Sequence, residues 1–506
     1  MASSRGAARV GLGVTGASVG LAELVAYLGG TGPGPVEAVA EAFIDRTPPW
    51  LKDLAIDLFG TADKLALGIG ITVVMGALAV AAGLSERAAR GRGAAVLAVL
   101  AVIAAGATLT RPDGGVVATW PVLASAVAGA LALMGLLAPA RPVDPERAMA
   151  DRKVLDRRRL LLGAGTVSGL AVVGGTVARF SGGARPVSAP PLDLPAPATP
   201  APTLPAGADL DIQGLAPFRT PNETFYRIDT AFVVPRVDPE EWTLRVHGMV
   251  EQEVVLTLDD LLAEDLVESW VTLCCVSNQV GGDLIGNALW LGLPVRTVLE
   301  RAGVREDADM VLSRSVDGFS ASTPLQVLMD DRDALLAVGM NGSDLPPEHG
   351  YPVRVVVPGL YGYVSATKWL SELEVTRFED QTAYWTERGW APRGPVKISS
   401  RIDVPRAGRT RDAGEVIVAG VAWDQHVGIA AVEVRVDGGD WQPAELADEV
   451  TVDTWRQWVY RWDAAPGSHT LEVRATNHDG EVQTSEVQGT VPDGATGLHR
   501  IEVDVA

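Results

Sequence analysis

Val271-Thr-Leu-Cys-Cys-Val-Ser-Asn-Gln-Val-Gly-Gly282 is the stretch on which the reading of this chain turns. An apolar run with strand character delivers a thiol, and a polar turn holding Asn278 and two glycines follows. Such a turn can present one sulfur at a pocket while its amides and the Asn278 side chain meet anionic groups. Which of the two neighbouring thiols, Cys274 or Cys275, would do so is left open by the residues alone. A packed, inert thiol is the competing reading for either. These are the two cysteines of the chain. Neighbouring residues sit too close for ordinary disulfide geometry, so no disulfide framework and no redox compartment follow from them.

Around this stretch, residues 209–404 mix short β-rich runs with helices, an α+β pattern. Glu241-Trp-Thr-Leu-Arg-Val-His247 alternates like a strand, and Pro352-Val-Arg-Val-Val-Val357 reads as a more buried one. Thr257-Leu-Asp-Asp-Leu-Leu262 predicts a short helix with Thr257 as its N-cap. Over residues 405–506 the helical period vanishes. Runs at 415–421, 431–436, 458–462 and 469–475, parted by Gly, Asp and Asn turns, predict an immunoglobulin-like β-sandwich of about 100 residues. The formal charge of −21 with few lysines argues against nucleic acid, which needs clustered Lys and Arg.

The N-terminal part is a different material. Residues 1–180 are dominated by Ala, Gly, Val and Leu and hold five apolar runs of spanning length, near residues 10–29, 65–84, 94–110, 116–138 and 160–178. Arg5 and Arg9 precede the first run, and Arg87, Arg90 and Arg92 lie between the second and third. Arg141, Arg147, Arg152, Lys153 and Arg157-Arg-Arg159 lie between the fourth and fifth. The alternate connections are poorer in base. The positive-inside rule therefore predicts a multi-pass membrane anchor with a cytoplasmic N-terminus and everything after the fifth span outside. Residues 31–64 predict an interfacial helix around Trp50, Leu54 and Leu58. Glu23 falls inside a span and reads as reaching water near the outer face. Gly16-x-x-x-Gly20 and Gly165-x-x-x-Gly169 read as sites of close helix packing. No histidine precedes His247 and no Cys-x-x-Cys-His occurs, so no haem is expected in the spans. Asp156-Arg-Arg-Arg-Leu-Leu-Leu-Gly163 looks like a twin-arginine export signal, at an unusual internal position. Eight prolines between Arg185 and Ala208 make residues 181–208 an extended, semi-rigid linker expected to hold the following domain off the bilayer.

Cys275-x-x-Asn278 after Thr272-Leu273 resembles the molybdenum-ligand segment of the sulfite oxidase family, and other segments carry the likeness further. Phe225-Tyr-Arg-Ile-Asp229 is similar to the family's early pterin-contacting stretch, and Ser315-Val-Asp-Gly-Phe319 to its middle one. Glu348-His-Gly-Tyr-Pro-Val-Arg354 with Val355-Val-Val-Pro-Gly359 resembles its most recognisable run, and Ser365-Ala-Thr-Lys-Trp-Leu370 its Lys-Trp segment. The sandwich, with Trp458-Val-Tyr-Arg-Trp462, resembles the domain that pairs such enzymes into dimers. The likeness runs from Asp209 to the end and leaves the apolar half outside. It implies an α+β molybdopterin-binding domain over 209–404 and an immunoglobulin-like β-sandwich over 405–506, which follow the α-helical transmembrane anchor read from the apolar runs.

The roles follow from the resemblance, with Cys275 as the protein ligand to molybdenum, a metal that suits soft thiolates. Tyr226, Arg227, Ile228, Asp229, Cys275, Asn278, Asp317, His349, Arg354, Ser365, Thr367 and Lys368 are implied to contact the pterin cofactor, and Cys275, Arg227 and Trp390 to act in catalysis. His349, Arg354 and Lys368 would serve its phosphate and polar rings, and Asp317 could accept from ring N–H groups. Read alone, His349 and Asp317 could be turn or cap residues and Arg354 half of an ion pair. Two positions depart from the animal and plant enzymes: Val280 stands where they carry an arginine, and Trp390 aligns with a tyrosine. Arg227 matches an arginine of their anion pocket. The expected activity is oxygen-atom transfer to or from a small substrate, with a separate electron-transfer partner and a homodimer through the sandwich. A sulfoxide or N-oxide reductase of the same fold, or a non-catalytic surface module, are the alternatives.

Overall fold

The computed structural model describes residues 3–29, 34–48, 51, 58, 63–111, 115–138 and 191–506, which form two compact units. In the first, four helices are long and apolar enough to cross a membrane. They are α1 (Ser4–Gly29), α3 (Asp63–Ala88), α4 (Arg92–Leu109) and α5 (Trp120–Leu136); α2 (Pro35–Arg46) is shorter. Leu, Val and Ile side chains such as Val73, Val102, Val127 and Leu131 lie exposed on them, as lipid-facing residues do. α1 and α3 approach at Gly11 and Gly83, where a Cβ on either would run into backbone of the other. The close packing thus has its own glycines, in addition to any contact at the Gly16/Gly20 pair.

Charged groups at the ends of these helices are tied up locally. The Glu23 carboxylate accepts the N–H of Val36 at 2.8 Å, where α2 begins. Glu86 accepts from the amides of Gly91, Gly93 and Ala94 and so caps α4. Arg111 pairs with Asp45 at 2.5 Å and with Glu41 at 3.5 Å. The helix expected around Trp50–Leu58 falls largely outside the described residues, as do the fifth apolar run, Gly165/Gly169 and the twin-arginine segment. Pro35–Arg46 is helical because Pro at its start presets φ and the four Ala and two Glu favour the rest.

The second unit opens with β1 (Thr243–Gly248), β2 (Val254–Thr257) and the helix α6 (Leu258–Leu262), of which β1 and α6 match their sequence patterns. Leu244 and Val246 alternate inward on β1. Thr257 caps α6 in a reciprocal box with Asp260. There follow β3 (Val267–Cys274), β4 (Ile285–Pro294), α7 (Val295–Ala302), β5 (Met310–Ser315), β6 (Ser320–Pro324), β7 (Leu335–Met340), β8 (Ser343–Asp344), β9 (Arg354–Val356) and β10 (Leu370–Thr376). One sheet runs β2-β1-β10-β5-β6; another runs β3-β4-β7-β8, with β9 on β7. Apolar residues of both sheets, among them Leu244, Leu336 and Val375, form one core with Val298 of α7.

The sandwich consists of β11 (Ser399–Val404), β12 (Thr410–Arg411), β13 (Gly414–Trp423), β14 (Ile429–Val436), β15 (Gln442–Pro443), β16 (Glu445–Leu446), β17 (Arg456–Ala464), β18 (Gly467–Asn477) and β19 (His499–Val505). Its two sheets, β11-β13-β17-β16 and β12-β19-β18-β14-β15, enclose Val418, Val434, Trp458, Leu471 and Val503. All four strands expected from the sequence are present.

Two boundaries move. The sandwich starts with β11 rather than at residue 405, because Ile402 belongs to its core and β11 pairs with β13. Residues 191–208 are not a free spacer. Ala198 and Thr199 bond Leu266 and Glu268 along the edge of β3, Leu192 and Leu194 pack on the core, and Pro202 O accepts from the Trp270 indole. A proline-rich backbone has carbonyls to give and little entropy to lose, so it binds a sheet edge as readily as it spans a gap.

Candidate functional site

β3 carries Cys274 to its last position, and Cys275 opens the loop to β4. The Cys275 N–H donates to Leu284 O at 2.9 Å and its carbonyl accepts from Asn278 N–H at 3.0 Å. Asn278 Oδ1 accepts from Leu284 N–H at 2.9 Å, so this side chain closes the loop on itself and lies beside Cys274. Both thiols are buried, and Cys274 packs in the apolar core. Burial pushes the Cys275 thiol up; the N–H and hydroxyl of Ser277 and the Lys368 ammonium pull the other way.

Near this thiol lies a set of buried cations. Arg354, on β9, is almost fully buried; it donates to the carbonyls of His349 (3.1 Å) and Val355 (3.4 Å) and lies 5.1 Å above the Trp290 ring. Among the described residues no carboxylate is its partner. Lys368 Nζ donates to Asp229 Oδ2 and to Glu348 O, each at 3.0 Å, and Asp229 also accepts from Arg227 Nε at 2.8 Å. Desolvation lowers Lys368 to about 8, with Asp229 opposing and the Arg354 and Arg227 charges reinforcing the shift. His349 Nε2 lies 2.9 Å from the Asn222 carbonyl. That oxygen only accepts, so Nε2 carries the proton and Nδ1 offers a lone pair. Nδ1 is buried and has no partner among the described residues. The Tyr226 phenol is near enough to both cysteines and to Arg354 to feel their charges, and burial holds it un-ionised.

Other expected contacts are shared with the fold. Ser365 Oγ donates to Tyr361 O at 2.9 Å within a short helical turn, and Thr367 Oγ1 meets Ser313 Oγ at 2.7 Å. Asp317 accepts from Phe319 N–H in the β5–β6 turn, and Val316 N–H bonds Trp369 O beside Lys368. Ile228 is exposed. Trp390 is buried in a group of aromatic rings, with Tyr363 at 5.8 Å and Trp385 at 6.2 Å, and Val280 is half-buried.

The arrangement fits a pterin-bound metal. A buried guanidinium held only by carbonyls costs several kcal/mol unless an anion joins it. The Nδ1 lone pair of His349 asks for a donor such as a ring N–H. Among the described residues no group of three or more His, Cys, Asp or Glu side chains is set for a metal ion, so a metal on Cys275 would take its other ligands from a cofactor.

Comparison with known proteins places most of the residues that build this site within a molybdopterin-binding family. Residues 231–385 match the family model described as oxidoreductase molybdopterin binding domain, and residues 399–473 match that of the bacterial Ig domain. Mitochondrial sulfite oxidase of Rattus norvegicus is 34% identical over 273 residues, covering 46% of this chain and 50% of its own. That of Homo sapiens is 32% identical over 301 residues, 50% of this chain and 55% of its own. The uncharacterized oxidoreductase YuiH of Bacillus subtilis is 34% identical over 157 residues, 31% of this chain and 76% of that one. This chain belongs to the sulfite oxidase family of molybdopterin-dependent oxidoreductases. It spans about half the length of the mitochondrial sulfite oxidases it matches. Sulfane dehydrogenase SoxCD from Paracoccus pantotrophus shares the fold, with a TM-score of 0.52 at 23% identity over 60% of this chain and 86% of that one.

In this member of the sulfite oxidase family, residues that sequence reading did not single out complete the site. Trp290 lies under Arg354, Ser277 lies beside the Cys275 thiol, and the Asn222 and Glu348 carbonyls orient His349 and Lys368. Ser277 lies inside the quoted stretch; the two carbonyl roles have no signature in residue type.

Proposed function

We propose that this chain is a membrane-anchored, extracytoplasmic molybdopterin oxidoreductase that transfers an oxygen atom to or from a small substrate with a neutral or partly organic body. The observation that carries the reading is Arg354, buried close to His349 and sharing the neighbourhood of Tyr226 with Cys275, with no carboxylate partner among the described residues. When bound, the molybdenum cofactor supplies two-electron redox chemistry and oxygen-atom transfer. Cys275 would hold the metal, Arg354 and Lys368 the anionic parts of the pterin, and His349 Nδ1 would accept a hydrogen bond from its rings. Arg227, one-third exposed and tied to Asp229, supplies positive charge at the mouth of the site. The aromatic group of Tyr363, Trp385 and Trp390 excludes water and gives an organic substrate a surface to lie against. A separate electron-transfer protein and a second copy docking through the sandwich belong to the same proposal.

The substrate class follows from Val280 and Trp390. Sulfite is a compact dianion near neutral pH and needs positive charge around the metal's open face. Each buried charge-assisted contact contributes roughly 1.5–3 kcal/mol, so the arginine absent at position 280 weakens an anion about ten- to a hundredfold. Steady-state assays with sulfite and a panel of S- and N-oxides test this. The expected result is poor turnover of sulfite, improved by Val280→Arg at the expense of the neutral substrate. A micromolar Michaelis constant for sulfite in the unaltered protein overturns the substrate class.

A further inference from the structure

Cys275 is held between two sets of contacts from the other module. β3 is an edge strand of its sheet, paired along its length with β4. At Thr272, three residues before Cys275, the open edge is taken up by the sandwich. The Thr272 N–H donates to Asp453 O at 3.0 Å, and its carbonyl accepts from Gln425 Nε2 at 3.1 Å. Its hydroxyl accepts from the Trp455 N–H at 2.8 Å and donates to Asn287 Oδ1 at 3.0 Å. Every polar atom of this threonine is therefore engaged, and three of the four partners lie beyond residue 404.

A second clamp lies past the thiol. Arg401 on β11, itself buried, donates from Nη1 to Gly282 O at 2.7 Å, and Asp403 fixes the guanidinium at 2.6 Å from its Nε. Gly281 has φ +77 and lies against the His499 ring so closely that a Cβ would collide with it. His499 is anchored in turn, its Nδ1 accepting from Ile402 N–H at 2.9 Å. Between the clamps the loop has its own bonds from Cys275 and Asn278 to Leu284. Neither Arg401 nor Thr272 forms a bond to the Cys275 sulfur.

We infer that the β-sandwich is a fixed part of the mount for Cys275, with Arg401 and Thr272 as positioning residues that set where its thiolate stands. This rests on Cys275 being the metal ligand, as proposed above, but its test needs no turnover. The bonds within the loop are few, so contacts from outside add to its ordering, and here those contacts are buried and directional, one of them charge-assisted.

The test uses the full chain in detergent, produced in a host unable to make the cofactor and treated with a maleimide. Fragment-ion mass spectrometry separates modification of Cys275 from that of Cys274. Arg401→Met should speed modification of Cys275 roughly tenfold by letting the loop open, with Arg401→Lys restoring most of the protection. Thr272→Val should act in the same direction. Arg435→Met, which breaks an ion pair with Glu472 on the other sheet of the sandwich, should leave the rate unchanged. Chains from a cofactor-competent host should show a severalfold loss of bound molybdenum in the first variant. Hydrogen exchange on the unaltered chain is the check that needs no variant. The amides of Ile402 and Cys275 should lose protection at the same denaturant concentration if both belong to one unit. Separate opening of those amides, or unchanged Cys275 modification in Arg401→Met and Thr272→Val, overturns the inference. A chain with the expected modification pattern and no oxygen-atom transfer keeps the mount and loses only the activity.

Discussion

Burial keeps the His349 imidazole neutral, lowered from the ordinary 6.5 to about 3 by desolvation first and by the Lys368 charge second, against the pull of the Asn222 carbonyl. Because the folded value is depressed, the unfolded chain binds more protons between those two values. The His349 contribution is therefore fully present above about pH 6.5 and is lost as pH falls toward 3. Between pH 7 and pH 5 the loss is about 2 kcal/mol in the cofactor-free protein. Urea melts of His349→Gln at the two pH values should show correspondingly less acid sensitivity than the parent, and equal sensitivity would remove the assignment of a neutral histidine. The adjacent thiols make a sharper pair. Cys275→Ser should abolish turnover and bound molybdenum while the fold persists. Cys274→Ser, in the apolar core, should cost on the order of 1 kcal/mol and leave activity in place. Activity retained in the first and lost in the second would exchange their roles. The division between them came from the family resemblance, since strand alternation sets the two side chains apart without saying which one meets a ligand. The task of Asn278 was not, because an amide at the mouth of a loop serves a ligand or the loop equally well until its acceptor is seen.

Strands and caps were legible wherever one side chain's chemistry decided the local structure. Leu244 and Val246 alternate on β1, Thr257 caps α6, and the four expected sandwich strands differ from observation by a few residues at their ends. The Pro-rich segment was misread for a physical reason. Composition reports the stiffness of a backbone, whereas its location depends on a sheet edge some 70 residues away in sequence, near Val267. That segment now carries a stability expectation. Leu194 approaches Gly339 and packs on the main core, so Leu194→Asp should destabilise the second unit by about 2 kcal/mol. The same change in a free tether would be silent in a thermal melt. The border at residue 404 was missed because β11 reads as a continuation of the preceding domain; only its pairing with β13 assigns it to the sandwich.

Two kinds of surface coexist in the whole molecule. Helices α1, α3, α4 and α5 expose apolar side chains, while the second unit holds most of the chain's acidic residues and contributes to a net charge of −21. An acidic domain with few lysines has little attraction to anionic lipid headgroups, so hydrophobic spans rather than surface charge would keep it at a membrane. Its side is then set by the arginines between the spans. Arg5 and Arg9, then Arg87, Arg90 and Arg92, then the basic run from Arg141 to Arg159 fall on alternate connections. The intervening one at Arg111 is held by Asp45 and Glu41. Each arginine resists translocation, and an alternating pattern repeated three times leaves one orientation favoured. A reporter active only outside the cytoplasm should therefore work when fused at Ala506 and fail when fused within residues 144–153. If the domain is exported as proposed, folding around its cofactor would favour a route for folded proteins, and the Arg157-Arg158 pair would be the signal for it. Replacing both by lysine keeps the charge and the topology signal, so a purely electrostatic role predicts normal export. A specific twin-arginine role predicts loss of the domain from the outer face and its accumulation inside. Normal export of that double variant removes the signal and leaves the anchor; a reporter active at residues 144–153 reverses the orientation itself.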